Sequence, residues 1–347
     1  MSQLISRPPY GERDDTRFLE EMNSLTLHHV MGCKGFARIW PDWERAENIE
    51  GLPFIHVGVF KHMELKTEGE NVKHERTALS SSTTGVSSRI VLDEQSSKLQ
   101  TESTTKILAD FVGKKKRPLL ILDSANSLRR RGELSARVAA AMSLRPLSSD
   151  IQFLLEDPDN PDSMKWGLLA EMLADHDELL VYGFSWVLWL AWGSRALPDE
   201  IKSALSRKKV HFLHSGGWKK LEDIKISRDE FDSALLGSVH ASSKVIDFYG
   251  LVEQLGIIYP LCDHGVRHIP VWADIIVRDT YTLVSIKGEV GQLQLLNSIT
   301  YGAPYHSVLT EDIGRIIPGK CPCGRSGKRF ELLGRIPKSE VRGCANV

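Results

Sequence analysis

Residues 80–89 read SSSTTGVSSR and place short hydroxyl side chains around a single glycine. Segments rich in Ser and Gly are commonly flexible surface loops. The alternative is a loop that wraps a phosphate chain, because hydroxyls and backbone N–H groups donate to phosphate oxygens and glycine lets the backbone approach closely. The run GRIIPGKC (314–321) has P-loop spacing, but Cys stands where a magnesium-binding hydroxyl is required. The surrounding sequence therefore has to decide what this hydroxyl-rich segment (residues 80–89) does.

Downstream of the hydroxyl-rich segment, apolar runs typical of strands alternate with helical patterns. The strand-like runs are RPLLILD (117–123), DIQFLLE (150–156), ELLVYGF (178–184), KVHFLHSGG (209–217) and KVIDFYG (244–250). The helical patterns between them are SARVAAAMSL, SMKWGLLAEMLADH, PDEIKSALSRK and RDEFDSALLGSV. This alternation predicts an α/β fold with a mostly parallel sheet and helices on both faces. In such sheets ligands bind beyond the carboxyl ends of the strands.

The pattern changes twice along the chain. Residues 1–60 are helix-rich until GLPFIHVGVFK, which reads as extended, whereas from about residue 257 short strand-like runs dominate. The latter runs are GIIYPLC, HIPVWADIIVRD, GEVGQLQLLNS and RFELLGR. We therefore predict α/β subdomains over 1–256, a smaller β-rich subdomain over 257–335 and a short tail over 336–347.

Composition narrows the class of protein. The chain has 347 residues and a net charge of −1, which offers no electrostatic case for binding nucleic acid or an anionic membrane. Its longest apolar run (179–192) is shorter than the ~20 residues that a transmembrane helix needs. No secretory signal is visible at the N-terminus, so we expect a cytoplasmic protein. Five cysteines, an odd number, argue against a disulfide framework and for metal binding or catalysis.

Cysteines and histidines in two short runs of the sequence have a spacing that suits zinc. CDHGVRH supplies Cys262, His264 and His268, and CPCG supplies Cys321 and Cys323. Three thiolates and one imidazole taken from these two runs would fill a closed tetrahedral site. We expect structural Zn²⁺ on Cys262, His268, Cys321 and Cys323, with His264 as the substitute histidine. The competing interpretation is a set of reduced, buried cysteines.

The hydroxyl-rich segment resembles the phosphate loop of the acyl-adenylate-forming (ANL) enzymes, whose usual form is Ser-Ser-Gly-Thr-Thr-Gly; Ser82 stands where a glycine is usual. YGLVE (249–253) resembles the family's Tyr-Gly-x-Thr-Glu, with Val252 replacing Thr. TEDIG (310–314) is similar to its Thr-Gly-Asp motif, and GR (334–335) to its Gly-Arg near the hinge. LPFIHVGVFK, SGGWKK and the terminal GRIPKSEVRGC resemble the acyl-protein synthetases of the LuxE type, with phenylacetate–CoA ligases as the next relatives.

This resemblance implies a fold and a reaction. The fold would be an ANL-type N-terminal adenylating domain, with parallel sheets, flanking helices and a β-rich subdomain. The chain is expected to lack the mobile C-terminal domain of other adenylating enzymes, together with its lysine. The reaction would be ATP-dependent: the carboxylate of an acid, which the resemblance implies is a fatty acid, attacks the α-phosphorus of ATP to form acyl-AMP and pyrophosphate.

The resemblance also assigns roles to residues. Ser80, Ser81, Ser82, Thr83, Thr84 and Gly85 would hold the phosphates of ATP. Glu253 would bind Mg²⁺, a hard cation that favours oxygen ligands. Tyr249, next to Gly250, would lie near the adenine, and Gly216 and Gly217 would let the base approach the backbone. Asp312 would accept from the ribose hydroxyls and Arg335 would lie near ribose or phosphate. Lys219 or Lys220 would replace the missing lysine, and an acyl slot would be lined by Phe184, Trp186 and Trp218; solvated lysines and core aromatics are the alternatives.

Cys344 lies four residues from the end, in VRGCANV. LuxE-type enzymes carry the acyl group on such a cysteine, and a thiolate, favoured here by Arg342, is a good nucleophile for acyl-AMP. The expected function is therefore an acyl-protein synthetase that loads Cys344, with an acyl-reductase or acyltransferase as protein partner. Two alternatives stay open: an acyl- or aryl-CoA ligase, and a non-catalytic nucleotide-binding remnant.

Overall fold

A computed structural model describes residues 2–80, 87–129, 133–216 and 226–336. Its α-helices are α1 (Asp15–Gly32), α2 (Lys34–Ile39), α3 (Val59–His62), α4 (Glu94–Val112), α5 (Ala136–Ser143), α6 (Trp166–Asp175), α7 (Ser185–Leu188), α8 (Asp199–Leu205) and α9 (Arg228–Leu236). Its strands are β1 (Ile55–His56), β2 (His74–Leu79), β3 (Arg89–Asp93), β4 (Arg117–Ile121), β5 (Glu133–Ser135), β6 (Ser148–Phe153), β7 (Glu178–Phe184), β8 (Lys209–Ser215), β9 (Lys244–Tyr249), β10 (Tyr259–Pro260), β11 (Arg267–His268), β12 (Ala273–Arg278), β13 (Gly291–Asn297), β14 (Ser307–Ile316) and β15 (Arg329–Arg335).

The central sheet is mostly parallel, as the alternating pattern predicts. Its strands follow the order β10-β9-β8-β7-β4-β6, and all pairs are parallel except β10 with β9. Side chains alternate between two apolar cores: Leu180 and Leu213 lie in one, and Val181 and Phe212 lie in the other. Because both faces are covered, the strands read as continuous apolar runs rather than as alternating ones.

A second sheet of six strands contains most of the C-terminal strands. Its order is β11-β15-β14-β13-β12, all antiparallel, and β1 joins β14 in parallel. The prediction of short strands here is confirmed, with one correction: HIPVWADIIVRD (268–279) is not one strand, since it starts at the last residue of β11 and continues as β12 after Pro270. The strands also cross the predicted boundary at residue 257, since β10 belongs to the parallel sheet and β1 to the antiparallel one. The division into three parts stays a prediction.

The hydroxyl-rich segment connects the two strands of a hairpin. Strands β2 and β3 pair in antiparallel fashion, with Leu79 opposite Arg89, and β5 extends this third sheet. Beyond the last pair, the Ser80 N–H donates to the Ser88 carbonyl at 3.1 Å, and the Ser88 N–H donates to Ser80 Oγ at 2.8 Å. The two strands therefore fix both ends of the segment.

The N-terminal region is helical in α1 and α2, as predicted. GLPFIHVGVFK is different: only β1 is extended, and α3 follows after Gly58. The helix turns Phe60 into an apolar core with Ala78 and Ile90 of the hairpin, which a continued strand would not do. Among the described residues, no helix has the length and apolar character needed to cross a membrane.

Candidate functional site

Three residues from separate motifs meet between the two large sheets. The hydroxyl of Tyr249, at the end of β9, donates to Asp312 Oδ2 at 2.8 Å. Arg335 Nε donates to Asp312 Oδ1 at 3.1 Å. Asp312 and Arg335 are directly opposite in the β14–β15 register, so the strand pairing itself brings this ion pair together.

The environment keeps the Tyr249 phenol protonated. Burial, with the Asp312 carboxylate beside the hydroxyl, raises the pKa of Tyr249 well above its usual range. The phenol therefore stays protonated and donates to Asp312, whose side chain is buried while the Arg335 side chain is exposed. One carboxylate is thus held by a neutral donor on one side and a cation on the other.

Glu253 lies one turn beyond Tyr249 and faces the hairpin. It belongs to a short 3-10 helix, Val252–Gln254, and only 4% of its surface is exposed. Burial raises the pKa of its carboxyl group, against the opposing effects of the Ser88 hydroxyl and of the Lys61 and Arg335 charges. The carboxylate is therefore next to Ser88, which closes the hydroxyl-rich segment, and a single carboxylate beside a phosphate loop suits Mg²⁺.

Several predicted site residues fall outside the described residues. They are Ser81, Ser82, Thr83, Thr84, Gly85, Gly217, Trp218, Lys219, Lys220 and Cys344. Ser80, Gly216, Tyr249, Glu253, Asp312 and Arg335 are described, and Tyr249, Asp312 and Arg335 converge as set out above. The roles of all of them stay predictions.

Phe184 and Trp186, two of the three aromatic residues predicted for the acyl slot, lie beside the end of β8. Phe184 is half-buried and packs against both cores of the parallel sheet, and Trp186 is buried in one of them. Gly216 has φ +80°, a conformation that favours glycine, and a Cβ there would lie 3.7 Å from the Phe184 ring. Gly250 is exposed at the end of β9, where a Cβ would lie 3.3 Å from Ile258.

Sequence reasoning missed a polar contact in the same place. Ser185 Oγ lies 2.9 Å from His214 Nδ1 and 2.8 Å from the carbonyl oxygen of Gly216. Burial lowers the pKa of His214 to about 4, so the ring is neutral at pH 7. The two side chains are far apart in the sequence, and the available signal was their position, since each stands at the carboxyl end of a predicted parallel strand.

The structure brings the four predicted zinc ligands together. Ligand atoms of Cys262, His268, Cys321 and Cys323 all lie within 4.8 Å of one another. Cys262 Sγ is 3.8 Å from Cys321 Sγ, and Cys323 Sγ is 3.2 Å from His268 Nε2. His264, the substitute histidine, is exposed and lies outside this cluster.

The cluster has the dimensions of a tetrahedral metal site. Two thiolates at about 2.3 Å from a tetrahedral zinc ion would lie about 3.8 Å apart, which matches the Cys262–Cys321 distance. Cys262 and Cys321 each start a tight turn. The Gly265 N–H donates to the Cys262 carbonyl at 2.9 Å, and the Gly324 N–H donates to the Cys321 carbonyl at 3.2 Å. Both glycines have positive φ, which these turns require.

Two of the four residues, His268 and Cys321, are shifted toward the protonation states that bind a metal. Burial, with Arg325 and Arg329 nearby, lowers the pKa of His268 to about 4, so its ring is neutral. Burial raises the pKa of Cys262. Burial acts in the same direction on Cys321, but hydrogen bonds from Cys323 and Cys262 outweigh it and lower the pKa of that thiol. A neutral imidazole and an acidified thiol are what zinc binding uses.

Comparison with known proteins identifies similar chains. A family model described as acyl-protein synthetase, LuxE, matches residues 42–347. Two curated proteins named long-chain-fatty-acid–luciferin-component ligase, from Aliivibrio fischeri and Vibrio harveyi, are each 25% identical, over 140 and 141 residues. Each alignment covers 40% of this chain and 36% of the relative, so it spans about a third of the length of these relatives.

Solved structures of adenylate-forming ligases share the fold. An open conformation of 2-hydroxyisobutyryl-CoA ligase with 2-HIB-AMP and CoA has a TM-score of 0.64 and 13% identity, and covers 95% of this chain and 76% of its own. The same enzyme in its postadenylation state has a TM-score of 0.59 with 13% identity, covering 95% and 70%. At this identity the likeness concerns the fold alone, and it confirms the predicted adenylating-domain architecture.

Proposed function

Since the chain belongs to the acyl-protein synthetase (LuxE) family, we propose that it activates a carboxylic acid with ATP and passes the acyl group to a thiol. In the first step a carboxylate oxygen attacks the α-phosphorus, the bond to the β-phosphate oxygen breaks, and pyrophosphate leaves. In the second step a thiolate attacks the acyl carbonyl and AMP leaves, which yields a thioester.

One observation carries this proposal: Tyr249, Asp312 and Arg335 form a hydrogen-bonded triad although their motifs are far apart in sequence. We assign Asp312 to the ribose hydroxyls, because each of its oxygens has room for a further donor beside the one it already accepts. Tyr249 and Gly250 would border the adenine, with Gly216 and Gly217 on its edge. Arg335, exposed beside Asp312, would contact ribose or phosphate.

The hydroxyl-rich segment would bind the phosphates. Ser80 and Ser88 fix its ends, and residues 81–85 supply the remaining hydroxyls and the glycine. Glu253 would hold Mg²⁺, which supplies positive charge to the phosphate oxygens. The buried carboxylate beside Ser88 supports this assignment, because the chemistry of phosphoryl transfer depends mainly on positioning and charge neutralisation.

The acid would enter beside Phe184, Trp186 and Trp218. The family's curated relatives are named for long-chain fatty acids, and we propose a fatty acid as the substrate here. Aromatic walls at the end of β8 support an apolar chain in this place. Lys220, or Lys219, would supply a cation for the adenylation step.

Cys344 is the proposed acceptor thiol. It follows Arg335 by nine residues, and an extended chain of that length reaches about 30 Å. Since Arg335 pairs with Asp312 at the proposed ribose site, this reach is sufficient for the thiol to approach the acyl-adenylate. A second protein, an acyl-reductase or acyltransferase, would then take the acyl group.

We also propose that Cys262, His268, Cys321 and Cys323 hold a structural Zn²⁺. The four residues fill a tetrahedral set, so no position is open for substrate. The fit of the sulfur–sulfur distance and of the two glycine turns supports zinc. A bound metal ion would cross-link the turn after β10 to the turn before β15.

The test of the function is ATP–pyrophosphate exchange with a panel of straight-chain acids from two to eighteen carbons and a set of aryl acids. We expect exchange that requires an acid and Mg²⁺ but not CoA. Net pyrophosphate release that depends on both the acid and CoA would favour the CoA ligase, and ATP binding without exchange for every acid would favour the non-catalytic remnant.

A further inference from the structure

A buried serine–histidine pair supports the end of β8. Ser185 is the first residue of α7, which begins directly after β7, and His214 is the second-last residue of β8. Strands β7 and β8 pair with Gly183 opposite His214, so Ser185, which follows β7, lies beside the end of β8. Ser185 and His214 are 3% and 7% exposed, which excludes water as a routine partner for their polar atoms.

The geometry fixes the direction of each hydrogen bond. Ser185 Oγ has one proton and three polar neighbours: the Gly216 carbonyl at 2.8 Å, His214 Nδ1 at 2.9 Å and the more distant Ser215 carbonyl at 3.4 Å. A carbonyl oxygen only accepts, so the hydroxyl proton points to Gly216 and His214 Nδ1–H must donate to Ser185. The result is a relay from His214 through Ser185 to the Gly216 carbonyl.

The neutral ring is consistent with this assignment. With its proton on Nδ1, His214 keeps a lone pair on Nε2, and that atom is buried with no hydrogen-bond partner among the residues that the structure describes. The neutral tautomer with its proton on Nδ1 is therefore the one that gives Ser185 Oγ a hydrogen bond from the ring.

The relay acts on the glycine turn at the proposed nucleotide site. Gly216 leaves β8 with φ +80°, and its carbonyl is held by Ser185. The residue before it is held as well, since Ser215 Oγ lies 3.3 Å from the Tyr182 hydroxyl. Because Gly216 also packs on the Phe184 ring, the turn is fixed on two sides before any ligand binds.

We propose that Ser185 and His214 are positioning residues that hold the Gly216 peptide in the orientation required for ATP. This rests on the proposed function, in which Gly216 borders the adenine. A fixed glycine turn binds the base without first paying the entropy of ordering it. Removing the hydroxyl leaves the Gly216 carbonyl without this donor and releases the turn.

The test is ATP binding and ATP–pyrophosphate exchange in a short variant series. Ser185→Ala is expected to raise the KM for ATP by about tenfold and to change kcat less. Ser185→Thr keeps the hydroxyl and His214→Asn keeps a donor near the Nδ1 position, so both should restore much of the affinity. His214→Leu should behave like Ser185→Ala. The matched control is His211→Asn, a buried histidine on the opposite face of the same strand, which should leave the KM unchanged.

A spectroscopic readout separates positioning from stability. In ¹⁵N-histidine spectra His214 should show a proton on Nδ1, and Ser185→Ala should alter that signal. A folded Ser185→Ala protein with an unchanged KM and an unchanged dissociation constant for ATP would overturn the proposal, as would a proton on Nε2. Failure of the proposed function is a different result, namely a wild-type protein without acid-dependent exchange; in that case the dissociation constants for ATP still decide on the relay.

Discussion

The Tyr249 hydroxyl donates to Asp312 Oδ2 at 2.8 Å and joins the edge of the parallel sheet to β14 of the antiparallel sheet. Residues on two different sheets thus share one carboxylate. Substitution of Asp312 by Asn removes the charge that Arg335 faces and leaves the tyrosine a weaker acceptor. We expect the KM for ATP in pyrophosphate exchange to rise by at least about tenfold.

The control for Asp312→Asn is Glu331→Gln. Glu331 lies on the neighbouring strand and pairs with Arg315 at 2.8 Å, but this pair is exposed. Exposed ion pairs contribute little, so its loss should leave the KM for ATP unchanged. Equal effects of the two variants would contradict a specific role for Asp312.

Glu253→Gln tests the magnesium assignment. The amide keeps the size of the side chain and removes the anionic oxygen that Mg²⁺ prefers. The Mg²⁺ concentration for half-maximal exchange should rise by about tenfold or more. Glu289→Gln, in an exposed turn, serves as the control and should need no more Mg²⁺ than the wild type. An unchanged Mg²⁺ requirement in Glu253→Gln would show that the carboxylate does not bind the ion.

Metal analysis tests the four-residue cluster. The purified protein should contain one Zn²⁺ per chain, and Cys321→Ser should contain much less and unfold at a lower temperature. Cys33→Ala is the matched control, because Cys33 is also buried but lies in a separate apolar core. A chain without zinc, or a Cys321→Ser protein with full zinc content, would contradict the assignment.

Chelation should also loosen the N-terminal arm (residues 9–13). The Tyr10 ring packs on His268 with centroids 5.7 Å apart, and a Cβ at Gly327 would lie 2.9 Å from the Gly11 carbonyl oxygen. Metal removal frees both of these contacts. Limited proteolysis should therefore cut near the arm faster after chelation than before it, and added zinc should reverse the effect.

Cys344→Ser tests the acyl acceptor. The variant should keep acid-dependent pyrophosphate exchange but lose the stable acyl-enzyme, because serine is a poor nucleophile without an activating base. Intact-mass measurement after incubation with ATP and acid reports the acyl group directly. Cys33→Ala should still carry it. An acyl-enzyme that survives in Cys344→Ser would locate the thioester elsewhere.

Two stacked histidines predict acid sensitivity. Burial lowers the pKa of His29 well below its usual range, with His306 and His28 adding to the effect, and burial lowers that of His306 to about 3. The folded protein keeps both rings neutral where the unfolded chain takes up protons. The stabilisation is complete above pH 6.5 and is lost as the pH falls toward 3, by at most about 1.4 kcal/mol per pH unit for each histidine.

Urea unfolding between pH 7 and pH 5 measures this slope. His306→Gln should lower the stability at pH 7, because it removes a buried ring, but it should flatten the dependence on pH. His240→Gln, an exposed histidine, should leave the slope as it is. If the free energy of unfolding of the wild type stayed constant as the pH was lowered from 6.5 to 5, the two histidines would not cause acid sensitivity.

Periodicity predicted the parts of the fold in which burial follows a simple rule. Strands β7 and β8 are apolar on both faces because helices cover both, and this pattern is legible in the sequence. The end of β1 was not predicted, because the turn of Phe60 into a core depends on Ala78 and Ile90, which are distant in sequence. The sequence around Phe60 alone therefore does not predict that contact.

The same distinction applies to the sites. The four metal ligands were predictable because cysteine and histidine at short spacing have few other common uses. The Ser185–His214 relay was not, because serine and histidine are ordinary at strand ends, and only the register between β7 and β8 makes them neighbours. Asp312 of the Tyr249–Asp312–Arg335 triad could be predicted only from a family motif, for the same reason.

The short strand β1 has a consequence for synthesis of the chain. Ile55 pairs with Val308, about 250 residues later. At about 5–20 residues per second, the ribosome makes the partner strand roughly 13–50 s after β1. During translation the early segment therefore stays without its strand partner, and a chaperone that shields it in this interval would raise the yield of correctly assembled protein.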